Sequence, residues 1–301
     1  HLLSRRQRQM CIRDRICKVT KYQNSQEDGG TYEQFQTNPN FPVTYHFAET
    51  LKSSITPAHW HEHIELLCVI QGELRIYVKG RVFEAVKGDL VVINPGETHS
   101  IPERTRDSLY ECLIPHKALY DKMGIPVEKY MIENYIQDEK YTGDFNQIMR
   151  ILSGKPQFYE ARVQLILLEL LLDLMQNHGK VSEPSKRTSE SSGERMVKQV
   201  IEYMQKNYVH PISTEDVCQY LSFDKSYICN KFKQITGTTM ISFLNMIRCE
   251  HARELLLLGK LSVSECASLS GFQHFPYFTK TYKRYMGELP STTFRSGHAD
   301  S

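Results

Sequence analysis

The chain has 301 residues, of which 40% are hydrophobic and 24% charged, and a net charge of +2. That length suits two ordinary domains. A composition so near the globular average excludes a disordered chain, a collagen-like repeat and a disulfide-held miniature scaffold. The charge is unevenly spread: residues 1–18 carry six Lys/Arg against one acid, residues 19–193 carry 18 against 24, and residues 194–296 carry 13 against 9. An acidic body with a basic C-terminal third predicts that the last stretch meets a polyanion.

The longest apolar stretch, Val163 to Met175, is interrupted by Glu169 and Asp173 and is too short to span a bilayer. The start lacks the apolar core of a signal peptide, so the expectation is a cytoplasmic protein with no membrane partner. Eight cysteines (Cys11, Cys17, Cys68, Cys112, Cys218, Cys229, Cys249, Cys266) form no Cys-x-x-Cys pair and read as reduced thiols. Residues 1–16 are Arg-dense, lack periodicity and resemble translated sequencing-adapter read-through. They are expected to be non-native, and the fold is expected to begin at residue 17.

In chain order, short β-branched or aromatic runs come first: Leu66–Ile70, Leu74–Val78, Val82–Val86 and Leu90–Ile93. Glycine-bearing turns at Gly72, Gly80, Gly88 and Asn94-Pro95-Gly96 separate them. This spacing predicts a small antiparallel barrel or sandwich within residues 17–116. Residues 117–178 turn helical. In Phe158–Asn177 the polar positions Arg162, Glu169, Asp173 and Gln176 form one narrow stripe, so this helix is expected to bury its wide apolar surface against another domain or a second subunit. Residues 179–193 are polar and Ser-rich and predict a linker, which favours a change of dimer geometry over a rigid push as the route of regulation. A five-residue tail, 297–301, follows the last element.

Residues 194–296 read as helices in two similar sets. Ser213 with Glu215 and Asp216 opens one short helix that stops at Ser222-Phe223, and Asp224 caps the next, Lys225–Ile235. Ser262 repeats the plan, which stops at Gly271 and restarts over Gln273–Tyr285. A long helix, Met240–Leu258, joins the two sets. Each set is a helix-turn-helix. The strings Ser226-Tyr-Ile-Cys-Asn-Lys-Phe-Lys233, Thr236-Gly237, Arg248, Ser264-Glu-Cys-Ala267, Gly271-Phe272, Tyr277-Phe278, Thr281-Tyr-Lys283, Gly287, Pro290 and Phe294-Arg295 closely resemble the DNA-binding domain of the AraC/XylS family of transcription regulators. Cys218, Asn230 and Pro276 depart from the family's usual Ala, Arg and Ser.

A helix in the major groove reads bases with its first turns while flanking cations hold phosphates. The candidate DNA-binding residues are Ser226, Cys229, Asn230, Lys231 and Lys233 in the first unit. In the second they are His274, Phe275, Pro276, Thr279, Lys280, Lys283 and Arg284. Tyr227, Ile228, Phe232, Phe272, Phe278 and Tyr282 are expected in the core.

The N-terminal region also carries a pattern. His59-Trp60-His61-Glu62-His63-Ile64-Glu65, then Gly72, Gly88-Asp89 and Asn94-Pro-Gly-Glu-Thr-His99, resemble the two cupin motifs. This implies a cupin-like barrel as sensor. His59, His61, Glu65 and His99 are the candidate effector-binding residues, and the same four are candidate ligands for a divalent metal such as Fe, Mn, Zn or Ni. Trp60 and His63 are expected at a rim or interface. The fold expected is therefore α+β in two domains: a cupin-like antiparallel β-barrel with a helical dimerisation segment, then an all-α double helix-turn-helix. The function implied is a ligand-responsive, sequence-specific DNA-binding regulator, not an enzyme. It is expected to activate a metabolic operon, such as one for carbohydrate use, with operator DNA, a sugar or organic-acid effector, a second copy of the chain and RNA polymerase as partners. The competing reading is a cupin metalloenzyme, an isomerase or dioxygenase, with a DNA-binding tail.

Overall fold

The computed structural model describes residues 38–47, 55–102, 107–182 and 190–298. The adapter-like segment and residues 183–189 of the linker lie outside these residues. Eleven strands are described: β1 (Val43–His46), β2 (Thr56–His59), β3 (Glu65–Gln71), β4 (Glu73–Val78), β5 (Arg81–Val86), β6 (Leu90–Ile93), β7 (His99–Ile101), β8 (Leu109–Pro115), β9 (Tyr130–Ile132), β10 (Tyr135–Ile136) and β11 (Gly179–Val181). One antiparallel sheet runs β1-β8-β3-β6-β10 and a second runs β2-β7-β4-β5, with β9 and β11 pairing separately. The antiparallel region thus forms two facing sheets rather than one closed ring. Its tightest hairpin, β4 to β5, turns at Lys79 and Gly80, both at positive φ (50° and 78°), the twist that suits two-residue hairpins.

The runs in β3 and β6 lack polar alternation because both of their faces are covered. Leu67, Val69, Val91 and Ile93 face the second sheet, packing with Leu74, Ile76 and Val78. Leu66, Cys68, Leu90 and Val92 share a core with the helices α2 (Glu139–Gly154) and α3 (Tyr159–His178), through Phe145, Ile148, Val163, Leu167 and Leu171. A short helix, α1 (Lys117–Lys122), precedes them. The polar segment after α3 is shorter than its composition predicts. Gly179–Val181 pairs with β9, and the next helix begins at Ser192, capped by Ser191 in a reciprocal capping box with Glu194.

The C-terminal helices are α4 (Ser192–Asn207), α5 (Thr214–Leu221), α6 (Lys225–Thr236), α7 (Met240–Leu258), α8 (Val263–Leu269), α9 (Phe275–Met286) and α10 (Pro290–His298). Their starts follow the caps read in the sequence. Ser213 with Asp216 and Ser262 with Glu265 complete capping boxes, and Asp224 accepts from the Tyr227 N–H. Helix α9 begins two residues later than expected, because His274 stays extended and Pro276 sits in the first turn, where no N–H is needed. Ile228, Phe232, Phe272, Phe278 and Tyr282 are buried as expected. Tyr227 is not: it is exposed and stacks on Phe223, about 100° around the helix from inward-facing Ile228. This helical core also takes in Ala58 and Trp60 from the β-region, so the two halves share one apolar cluster.

Behind β1, the rings of His63 and His116 stack at 4.7 Å with an interplanar angle of 8°. The Lys117 N–H donates to His63 Nδ1, and His116 Nε2 lies 2.7 Å from Thr44 Oγ1. Burial, with the nearby His61 charge, pushes His116 from its ordinary 6.5 down to about 4. Below pH 6.5 the unfolded chain therefore takes up a proton that the folded chain refuses, and stability falls towards pH 4. The urea midpoint should drop between pH 7 and pH 5, and His116→Gln should make that drop smaller. An equal drop in the variant would remove His116 as its source.

Candidate functional site

Helix α6 presents Ser226, Asn230 and Lys233 exposed, with Cys229 half-buried, at spacings that place the four on one face. Lys231 departs from that face. Its stem passes 3.5 Å from where a side chain on Gly193 of α4 would lie, and its Nζ reaches Gln234 Oε1 at 3.0 Å. The sequence spacing is the reason: one residue beyond Asn230 turns about 100° around the helix, away from the reading stripe. Helix α9 repeats the arrangement, with Phe275, Pro276, Lys280, Lys283 and Arg284 exposed and His274 exposed at the N-cap. The Thr279 hydroxyl donates to the Phe275 carbonyl, which leaves an oxygen facing outward. The two units are held together by Arg248, which donates to the carbonyls of Tyr208 and His210, and by Asn245, which donates to Tyr277 Oη.

The structure brings His59, His61, Glu65 and His99 together. All four are buried, and one ligand atom from each lies within 4.8 Å of the others. His59 comes from β2, Glu65 from β3 and His99 from β7, with His61 in the loop between β2 and β3. The orientation of every ring is set by a backbone carbonyl. His59 Nδ1 donates to Pro57 O, His61 Nδ1 to His63 O and His99 Nδ1 to Glu97 O, each at 2.9 Å. A carbonyl only accepts, so each Nδ1 carries a hydrogen, and in the neutral rings the Nε2 lone pairs are left for the cluster. His61 Nε2 and His99 Nε2 both lie 3.0 Å from Glu65 Oε2. The other carboxylate oxygen accepts from Cys112 Sγ at 3.1 Å.

Electrostatics place this cluster under tension. Burial pushes the Glu65 carboxyl up, but the His99 charge and the contact with His61 outweigh it and hold Glu65 well below its ordinary 4.5. Burial and the His59 charge push His99 the other way, towards its neutral form, against the attraction of Glu65. Three imidazole nitrogens and one carboxylate oxygen gathered within 4.8 Å are a donor set for Fe, Mn, Zn or Ni, and the ring N–H groups tied to carbonyls are the usual support of such ligands. The ring centroids stand 4.1 Å (His59–His99), 5.2 Å (His61–His99) and 5.8 Å (His59–His61) apart. That spacing admits an ion between the rings. The carbonyls of Pro57, His63 and Glu97 could not be found in the sequence, because backbone groups carry no residue signature.

Among the described residues no helix is long and apolar enough to cross a membrane. An AraC-like ligand-binding domain model matches residues 40–171, and a helix-turn-helix domain model matches residues 217–296. The chain is 23% identical over 248 residues to YdeC of Bacillus subtilis strain 168, named an uncharacterized HTH-type transcriptional regulator, covering 78% of this chain and 84% of YdeC. It is 26% identical over 224 residues to YbfI of the same organism, which bears the same description, covering 72% of this chain and 78% of YbfI. Among solved structures, the C-terminal domain of AraT, a response regulator from Geobacillus stearothermophilus, is similar at 31% identity with a TM-score of 0.34, over 35% of this chain and 88% of that one. With a ligand-binding region followed by two helix-turn-helix units, matched in that order, the chain belongs to the AraC/XylS family of ligand-responsive transcription regulators.

Proposed function

We propose that two copies of the chain, paired through α3, read an operator with α6 and α9 in response to a divalent metal ion held by His59, His61, Glu65 and His99. The observation that carries the DNA reading is the repeated exposed stripe, Ser226/Cys229/Asn230/Lys233 and Pro276/Thr279/Lys280/Lys283, on the second helix of each unit. Asn offers the donor and acceptor pair that adenine presents in the major groove, and Lys suits guanine O6 and N7. His274, Phe275 and Arg284 flank the second stripe. In this reading RNA polymerase is the downstream partner and the cytoplasm the place of action. The gathering of four buried donor atoms, one each from His59, His61, Glu65 and His99, within 4.8 Å of one another carries the metal reading. Such an ion supplies positive charge that offsets Glu65, and a Lewis-acid point to which an oxygen donor, the carboxylate or hydroxyls of an organic acid or sugar, can attach. No described observation favours the isomerase or dioxygenase reading.

The dimer reading rests on what α3 leaves uncovered. Phe158, Leu165 and Leu172, seven residues apart and so in line along the helix, are 70%, 68% and 50% exposed. Beside them a groove is lined by Met123, Ile125, Pro126 and Leu168. An in-line apolar strip of this kind is the seam of a paired helix.

Three outcomes are expected. On a duplex selected from a random library, Asn230→Ala or Lys280→Ala should cost roughly 1–3 kcal/mol of discrimination against random DNA. Lys233→Ala should weaken both about equally and flatten the salt dependence. Selection that recovers no duplex ends the DNA reading. In sedimentation, the full chain should be a dimer and Leu165→Glu/Leu172→Glu a monomer; a dimeric double variant places the interface elsewhere. Titrated with Co²⁺ at pH 7, the protein should develop the visible absorption of nitrogen- and oxygen-ligated cobalt at one ion per chain. That absorption should weaken steeply towards pH 5 as the imidazoles protonate, and vanish in His61→Ala. Absorption that survives His61→Ala would place the ion at another site.

A further inference from the structure

The residues that form the cluster are, one position along the chain, the residues that join the β-region to the first helix-turn-helix unit. His59 enters the cluster, and the next residue, Trp60, lies in the shared core with Lys198 Nζ of α4 5.0 Å over its ring. His99 enters the cluster, and the next residue, Ser100, donates its buried hydroxyl to the carbonyl of Thr236, the last residue of α6, at 2.8 Å. The His61 carbonyl accepts from the Gly96 N–H at 2.8 Å, and the Gly96 carbonyl accepts from Lys198 Nζ at 3.0 Å. The Glu97 carbonyl that orients His99 is the next residue after Gly96. Three of the four candidate ligands therefore stand one peptide or one hydrogen bond away from a group that touches α4 or α6.

The same junction has little slack. Gly237, which ends α6 at a φ of 73°, packs so closely that a Cβ there would lie 2.5 Å from the Tyr77 ring of β4. Beside it, Gly80 lies close to Ile235, and Lys79 Nζ is 3.7 Å from Glu194 Oε1. Relative motion is the ordinary expectation between domains of one chain. A ligand that favours the docked arrangement over a loosened one shifts that balance.

We propose, building on the metal reading above, that an ion held at the cluster fastens the β-region onto α4 and α6. Occupancy of the site then sets where both reading helices lie relative to the dimer helix α3. The direction follows from the geometry. In the docked arrangement the four donor atoms are already gathered within 4.8 Å, so this arrangement binds the ion best. Without an ion to bridge the four donors, the loops that carry Trp60, Gly96 and Ser100 lose that tie, and docking loosens. Coupling of this kind is reciprocal: if the ion strengthens docking, docking strengthens ion binding by the same factor.

The full chain, stripped with chelator and then loaded with Zn²⁺, tests this by hydrogen–deuterium exchange. Zn²⁺ should slow exchange in residues 192–200 and 232–240, neither of which contains a ligand, and should have no such effect in His61→Ala. Lys198→Met keeps its stem but loses the bond to Gly96, and touches no ligand. It should nevertheless weaken Zn²⁺ binding by roughly 5- to 150-fold, the span of typical coupling. Ser100→Ala, a smaller change, should weaken it in the same direction should Lys198→Met fail to fold. Cobalt absorption with unchanged exchange and unchanged affinity in both variants overturns the coupling and leaves the metal site standing. Absence of cobalt absorption in the unaltered chain overturns the metal site and this inference together.

Discussion

A buried carboxylate faced by imidazoles whose hydrogens are already committed is the constraint around which the N-terminal half is arranged. Glu65 is ionised inside a packed protein, and His59, His61 and His99 have each given their Nδ1 hydrogen to a carbonyl. An ionised group in such surroundings is tolerated only when it is paired. The strands that supply these residues come from both sheets, so the cluster also ties the facing sheets together at one end. Cys112 fixes the remaining carboxylate oxygen from β8. The charge imbalance of the site is therefore built into the backbone, and not left to mobile side chains.

The half that reads DNA depends on different physics. Its elements are helices, five of them started by a side-chain cap at Ser191, Ser213, Asp224, Thr239 and Ser262, around an apolar core that Arg248 and Asn245 cross with hydrogen bonds. Short helices of this kind are stable only through packing. Because the core extends to Ala58 and Trp60, the packing that holds the first unit includes the β-region itself. The polar stretch before α4 suggests two bodies joined loosely, whereas the structure joins them by a shared core and a handful of polar contacts.

The amino-acid sequence alone determined the features that arise within a few residues of one another. Caps at Ser213, Asp224 and Ser262, the helix Met240–Leu258 and the strands from Glu65 to Ile93 follow from periodicity and from side chains that bond their own backbone two or three residues on. The four cluster residues were legible too, because the spacing of His59, His61, Glu65 and His99 resembles the cupin motifs. Tertiary structure decided the rest. The Lys231 stem packs beside Gly193 of α4, and Tyr227 is exposed because the inward face of α6 is filled by its neighbours Ile228 and Phe232. The hydrogens on the three imidazoles are set by carbonyls, which every residue possesses. The bond from Ser100 to Thr236 spans 136 positions of the chain. Contacts at such separation form only when two complete surfaces meet, so no local pattern encodes them.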